Sequence, residues 1–591
     1  MSETHERRGI LGGFNALLRH FSPSERLALY ALTVTLALST FILLVGVNDA
    51  VSTQVPTEGG SIVEGAVGTP RFINPVLATT DADQDLAMLT YSGLLRVGEN
   101  GLIPDLAGRY EISDDGKTYT FHLREGLAFH DGTPLTSADI LFTIALVQNP
   151  DIKSPRRADW DGVAVTAPDD RTVVIELPHA YAPFLENATL GILPKSHWEN
   201  VPAEEFPFHS LNTHPIGSGP YMIGAVLLDT TGAPTEYTLE AFPTFALGKP
   251  HVSMTYRLYS NDDALLAAAD AGDIESFVAS SPKRIPREVQ DNGNFLRIPL
   301  TRIFGVFLNQ NHAPVLADAS VREALDVAID KETIIAQVLG GYGSALTGPV
   351  PESILAGDVA GVATSSESAE EVAENVNRAD AARGILADGG WEFVAPSSTP
   401  ESGVPAPAGV WTKDTSTLSL KLATADAEEL VATAQSVADA WTAAGIPTEV
   451  EIYPLPEFNQ DILRPRTYDA ILFGEAVGRS LDLYPFWHSS QRNDPGLNLS
   501  LYTNAEADRA LASARTSTNV EEREKFIREF LEAIGRDNPA VFLYSPEIAY
   551  LVPSYVKGIT VPALTAPSER FASVHEWYRD TERIWDIFSE K

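Results

Sequence analysis

The sequence contains no cysteine. That excludes thiolate nucleophiles, thiolate metal sites and disulfide staples, and it removes the residue that a lipid-anchored lipoprotein acylates. Positive charge is scarce: 42 Lys and Arg stand against 80 Asp and Glu, a formal net charge of −38. Such a surface repels nucleic acid, and no basic cluster offsets it, so no nucleic-acid partner is expected. Signatures of catalysis are missing too. There is no H-E-x-x-H, Walker A loop, G-x-S-x-G or EF-hand loop. Gly217-Ser-Gly219 lacks the spacing of a nucleophile elbow and reads as a turn. His122 and His130 flank a glycine-containing turn, with no further ligand at metal-site spacing. Nothing in these residues calls for an enzyme, a metal or a cofactor.

Long hydrophobic runs are also rare, with one exception. Leu27 to Val47 carries no charge and has the length of a bilayer-spanning helix, roughly 20 residues. Arg7, Arg8, Arg19 and Arg26 precede it, whereas Asp49 and Glu58 follow, so the positive-inside bias puts the bulk of the chain outside. A cleaved signal peptide competes with this reading, but the run is long for one and VNDA gives no clean A-x-A site. The expectation is a cytoplasmic segment 1–26, a transmembrane anchor 27–47 and a polar linker 48–60 holding Pro56, Gly59 and Gly60. The rest then lies on the extracytoplasmic side, periplasmic or cell-surface.

What remains is too long for one core, since the chain has 591 residues. Period-two alternation places Tyr119, Phe121 and Leu123 on one strand face, and Val173, Ile175 and Leu177 on another, with Asp114-Asp115-Gly116 as a turn ahead of the first. Ser320-Val-Arg-Glu323 reads as a capping box before an apolar stripe of Val321, Ala324, Leu325, Ala328 and Ile329. Leu418 to Leu422 predicts a strand, Glu428 to Ala444 a helix stopped by Gly445 and Pro447, and Thr448, Val450 and Ile452 a second strand. This is a β-α-β unit, and it demands a parallel sheet. The stretches 357–374 and 395–413, rich in Ser, Pro, Ala, Gly and acidic residues, predict surface insertions.

Several segments, in order, resemble the family-five extracellular solute-binding proteins of ABC transporters, which include oligopeptide, dipeptide and nickel binders. Gly68-Thr-Pro-Arg-Phe-Ile-Asn-Pro75 is similar to the family's opening strand and loop, and Tyr91-Ser-Gly-Leu-Leu95 to the helix after it. Pro104-Asp-Leu-Ala107, Ser113 to Arg124, Phe129-His-Asp-Gly-Thr-Pro134 and Ala138-Asp139 agree in order, spacing and residue type. Gly217-Ser-Gly-Pro-Tyr221 resembles the family's Gly-Thr-Gly-Pro-Tyr turn, and Val321 to Lys331 its V-R-x-A-L-x-x-A-I-D-R/K helix. Asn498 to Tyr502 and Val541-Phe-Leu-Tyr-Ser-Pro546 continue the pattern.

The resemblance implies an α/β, two-lobed periplasmic-binding-protein-like fold of type II with an extra domain. Lobe I would comprise 61–85, 209–300 and 539–591, the extra domain 86–208, and lobe II 301–538. Solute would sit between the lobes, and closure would hide it from water before delivery to ABC transporter permease subunits. In peptide binders of this kind the ligand adds as a strand, so the corresponding backbone here is Ala78-Thr79-Thr80 and Gly474-Glu475-Ala476. The chain departs from the family's W-x-A-D-Y-x-D-P-like stretch, whose aspartate receives a peptide ammonium. Phe473 to Trp487 lacks the tryptophan and first aspartate, leaving Asp482 and Glu475 as the anions, with Arg479 available for a ligand carboxylate. Peptide is the expected solute. A nickel chelate, haem or oligosaccharide, stacked on Tyr484, Phe486 or Trp487, is the alternative in the same fold; a surface hydrolase, or a sensor or adhesion module, is the alternative outside it.

Overall fold

A computed structural model of the chain describes residues 21–50, 52–99, 101–279, 281–285, 289, 294–351, 354, 377–395 and 409–585. They divide into two units, one holding the residues up to Gly59 together with those from Tyr578 onward, the other Gly60–Trp577.

The first unit is built on a helix, Pro23–Ala50. Glu25 and Ser22 fix its start reciprocally: the Ser22 amide donates to the Glu25 carboxylate at 2.8 Å. Within it, Pro23–Leu44 has a mean hydropathy of 2.2, and none of that stretch is buried. The Thr33 and Thr35 hydroxyls donate to the carbonyls of Leu29 and Ala31, so neither needs water. The polar stretch beyond the helix is more than a linker. Ser52–Pro56 is a strand, paired antiparallel with Thr581–Trp585 from Ser52↔Trp585 to Pro56↔Thr581.

In the second unit one long sheet organises the chain. Its order is Thr448–Tyr453, Leu420–Ala425, Ala470–Ala476, Arg302–Leu308, Ala540–Val552, Ser276–Ala279, Ser61–Val67, Ser253–Tyr259, Pro234–Ala241 and Tyr221–Leu228. The 13-residue strand Ala540–Val552 is the bridge. Its first half pairs with Arg302–Leu308 and its second with Asn294–Pro299. The chain thus crosses from one half of the sheet to the other at Leu300–Thr301 and again at Ser545–Pro546. The two crossings hold each other: the Leu300 amide donates to Pro546 O at 3.0 Å, and the Ser545 hydroxyl to Leu300 O at 3.0 Å.

Each half has its own apolar packing. Ile62, Leu86, Tyr221, Tyr256, Tyr550 and Trp577 belong to one buried cluster, and Val306, Leu325, Trp441, Leu472 and Leu543 to another across the crossing. A third cluster gathers Val76, Tyr119, Phe121, Ile144, Val173, Ile175 and Trp198 around a separate four-stranded sheet. The two alternating stretches expected there are strands, and the Asp114–Gly116 turn has Gly116 at φ +66°.

The β-α-β unit is present: Leu420–Ala425 and Thr448–Tyr453 pair in parallel, joined by the helix Glu428–Ala443. The stripe from Val321 to Ile329 is buried as expected, but the capping box is not there. Asp318 is the N-cap of Ala319–Val327 and accepts from both the amide and the hydroxyl of Ser320. A carboxylate two residues ahead outcompetes the serine as acceptor. Residues 357–374 lie outside the described residues, as do 396–408. The end of the second expected insertion is not loop: Val410–Lys413 pairs with Glu392–Val394, anchored by Trp411, whose indole donates to Ala444 O at 2.9 Å.

Candidate functional site

The residues expected to meet solute lie just ahead of the helix Asp81–Thr90 and at the end of the strand Ala470–Ala476. On one side is the loop ahead of the helix Asp81–Thr90. Asn74 and Asn212 pin it: the Asn74 side-chain amide donates to Asn212 Oδ1 at 3.0 Å, and the Asn74 carbonyl accepts from the amides of Leu77 and Ala78. Thr80 caps the helix, its hydroxyl accepting from the Asp83 amide at 3.2 Å. Thr79 and Thr80 stay exposed. On the other side the strand Ala470–Ala476 runs antiparallel to Arg302–Leu308, in register Phe304↔Gly474, Ile303↔Glu475 and Arg302↔Ala476. Ala476 and Arg302 are exposed at the strand ends.

Electrostatics tie the two sides. The Asp81 carboxyl is raised by burial and by Asp85, and it is pulled back by Arg570 and by Arg302 across the way. Asp81 and Arg302 went unnoticed in the sequence because neither belongs to a motif.

Strand parity separates the Gly474–Ala476 trio. Gly474 faces Phe304, whose ring would lie 2.6 Å from any Cβ placed there, so glycine is required by packing. Glu475 shares the opposite face with Ile471 and Phe473 and is buried, 4% exposed. Neither of its carboxylate oxygens has a hydrogen-bond partner among the described residues. Burial alone therefore holds this carboxyl well above the ordinary range.

Asp482 lies in the loop after that strand and is engaged. Arg515 pairs with it at 3.1 Å, and the Tyr181 hydroxyl donates to its Oδ2 at 3.1 Å. Burial raises its carboxyl, with Arg515 opposing. Its loop neighbours also reach across. The Ser480 amide donates to Glu186, and Arg479 donates to Glu569 at 2.9 Å and to Ala563 O at 2.7 Å. Arg479 thus has its counter-ion within the protein. Leu481 adopts φ +54°, a left-handed conformation uncommon for a branched side chain. The void between this loop and Pro183 holds about 10 Å³, room for one water at most. Trp487 is fully buried among Phe307, Phe530 and Phe542, and Tyr484 stacks on His488, so both pack rather than present a face to a sugar.

The remaining histidine reading resolves structurally. His130 Nδ1 accepts from the Gly217 amide at 3.2 Å, and its Nε2 lies 3.1 Å from Gly219 O. The Phe129–Pro134 turn and the Gly217–Tyr221 turn are therefore one assembly. No group of three or more metal-ligating side chains occurs among the described residues.

A sheet crossed twice by the chain fits a two-lobed binding protein of the type II periplasmic class, the fold of the similar solved structures. The chain belongs to the bacterial extracellular solute-binding proteins, family 5, whose model matches residues 101–496. The oligopeptide-binding protein AppA of Bacillus subtilis is 26% identical over 570 residues, 94% of this chain and 99% of its own. The structure of that AppA in complex with a nonapeptide aligns over 89% of this chain with a TM-score of 0.62. The dipeptide-binding protein of Escherichia coli is 27% identical over 337 residues, 53% of this chain and 61% of its own. NikZ of Campylobacter jejuni, solved with Ni(L-His), shares the fold with a TM-score of 0.61 at 24% identity, over 88% of this chain and 99% of its own.

Proposed function

We propose that this protein captures peptides between its lobes on the extracytoplasmic side and delivers them to the permease of an ABC transporter, held to the membrane by its apolar helix. The observation that carries the reading is full-length similarity to a peptide-binding relative, and the backbone of Ala78–Thr80 and Gly474–Ala476 is assigned to the ligand. A peptide lying between them as an added strand draws affinity from main-chain hydrogen bonds, which suits varied sequences. Lobe I is assigned to 61–85 and 209–300 plus the chain from 539 on, the extra domain to 86–208 and lobe II to 301–538. The crossings at Leu300–Thr301 and Ser545–Pro546 then act as the hinge. Asp482 keeps the ammonium assignment, because Arg515 and Tyr181 both meet its Oδ2 while its Oδ1 has no hydrogen-bond partner among the described residues.

Native mass spectrometry of the full chain purified without refolding tests the cargo. Peptides of mixed sequence in the cleft are expected; a nickel chelate, haem or oligosaccharide retained instead would overturn the peptide assignment while leaving the fold untouched.

A further inference from the structure

The apolar helix and the strand pair beyond it form one continuous object. Pro23–Leu44 is the membrane-length stretch. Its 22 residues rise about 33 Å at 1.5 Å each, matching a hydrocarbon core of about 30 Å. Asn48, four residues past Leu44, then stands about 6 Å higher, within the headgroup layer. There it meets Trp585: the indole Nε1 donates to Asn48 Oδ1 at 3.0 Å. Trp585 is 53% exposed, although it is the largest apolar side chain of its strand. In register it faces Ser52, at the end of the strand pair nearest the helix. The charged residues of the same strand, Arg583 and Glu582, follow at about 7 and 10 Å farther from that end. An amphipathic ring at headgroup depth, with charge held farther out, is the arrangement that membrane–water interfaces favour.

We propose that the ribbon of Ser52–Pro56 and Thr581–Trp585 rests on the outer leaflet, with Trp585 seated among the lipid headgroups. The inference rests on the anchor reading above and adds a second element to it. A strand supplied from the far part of the sequence braces the helix end at the bilayer surface. Both covalent connections to Gly60–Trp577, through residues 57–59 and 578–580, run by way of this ribbon.

The absence of cysteine makes the test direct. The full chain is reconstituted in phosphatidylcholine–phosphatidylglycerol vesicles with a single environment-sensitive fluorophore on Phe41→Cys, Trp585→Cys, Ser52→Cys or Glu582→Cys. Spin-labelled lipids carry the quencher at the headgroup or deep in the acyl chain. Phe41→Cys should be quenched by the deep label. Trp585→Cys and Ser52→Cys should be quenched by the headgroup label, at least twofold more than Glu582→Cys. Adding Trp585→Gln to Ser52→Cys should lower the headgroup quenching about twofold or more. Deep quenching of Phe41→Cys with none at Ser52 or Trp585 would overturn the ribbon's placement and keep the anchor. No quenching at Phe41→Cys would overturn the anchor, and the ribbon's placement with it.

Discussion

The Tyr181 hydroxyl donates to Asp482 Oδ2 at 3.1 Å, joining two residues 301 positions apart in sequence. Tyr181 packs with the cluster around Tyr119 and Phe121, while Asp482 lies in the loop after the strand Ala470–Ala476 and is paired there with Arg515. With the Ser480–Glu186 contact beside it, this hydrogen bond is expected to act as a latch on the closed form.

Removing a hydrogen bond to a charged group costs about 1.5–3 kcal/mol, a shift of about 10- to 150-fold in the ratio of closed to open molecules. Tyr181→Phe and Asp482→Asn should therefore both broaden the distance between the extra domain and lobe II toward the open form. Double electron–electron resonance between spin labels on Arg109→Cys and Glu449→Cys reads this in a chain that has no other thiol. Distance distributions identical to those of the parent protein would refute the latch.

Little of that latch was legible in the sequence, because hydrogen bonds between loops carry no period. The β-α-β unit was legible, since Leu420–Ala425, Glu428–Ala443 and Thr448–Tyr453 each show their own apolar spacing and Gly445 marks the stop. The strand Ser52–Pro56 was not, because its pairing partner lies more than 500 residues away. The burial of Glu475 had a usable signal: it shares parity with Ile471 and Phe473, so one strand face carries two apolar residues and a carboxylate. Nothing comparable announced Asp81 and Arg302, single charges at element ends that influence one another only through space.

Glu475 itself makes a stability prediction. A buried polar group without partners costs about 1–3 kcal/mol, so Glu475→Met, similar in volume, should stabilise the protein by about that amount in urea unfolding at pH 7. The sign against pH follows from its raised carboxyl. The native state holds a proton that the unfolded state releases above about 4.3, so its stabilising effect is complete below that value and fades as pH rises. The advantage of Glu475→Met should grow with pH. A variant less stable than the parent at pH 7 would show that Glu475 has a partner in solution.

His130 titrates with the opposite consequence. Burial pushes its imidazole down to about 4, against an unfolded value of about 6.5. Between those values the unfolded chain binds the extra proton, so the native contribution is complete above about 6.5 and is lost as pH falls toward 4. The difference between the two values corresponds to at most about 3.4 kcal/mol. His130→Gln should therefore be less stable than the parent at pH 7, and the difference should narrow by up to that amount at pH 4.5. Because His575 is displaced the same way and several buried carboxyls the other way, the quantity to compare is the gap between variant and parent, not either slope alone. A gap independent of pH would mean that burial does not displace the His130 imidazole from its unfolded value.

Arg570 is a buried charge paired with two buried acids. Its guanidinium sits 2.8 Å from Glu64 and 2.6 Å from Asp85, all three nearly excluded from solvent, with the Tyr256 hydroxyl donating to Asp85 at 2.7 Å and that of Tyr550 to Glu64 at 3.1 Å. Two carboxylates share one cation, and burial wins over Arg570 in raising the Glu64 carboxyl. Asp85 lies on the helix that Thr80 caps, so the cluster also fixes the loop Ala78–Thr80 against the strand Ser61–Val67. Arg570→Met leaves both acids buried without a counter-ion, a loss of about 3–5 kcal/mol. Lowering the pH should recover part of that loss, since protonation removes the uncompensated charge. Adding Glu64→Gln and Asp85→Asn to Arg570→Met should recover most of it at pH 7, because the remaining groups hydrogen-bond without carrying charge. Urea unfolding of the parent, the single variant and the triple variant measures the three terms. A triple variant as unstable as Arg570→Met would show that the arginine's packing against Phe571, 4.0 Å from its guanidinium, outweighs its charge.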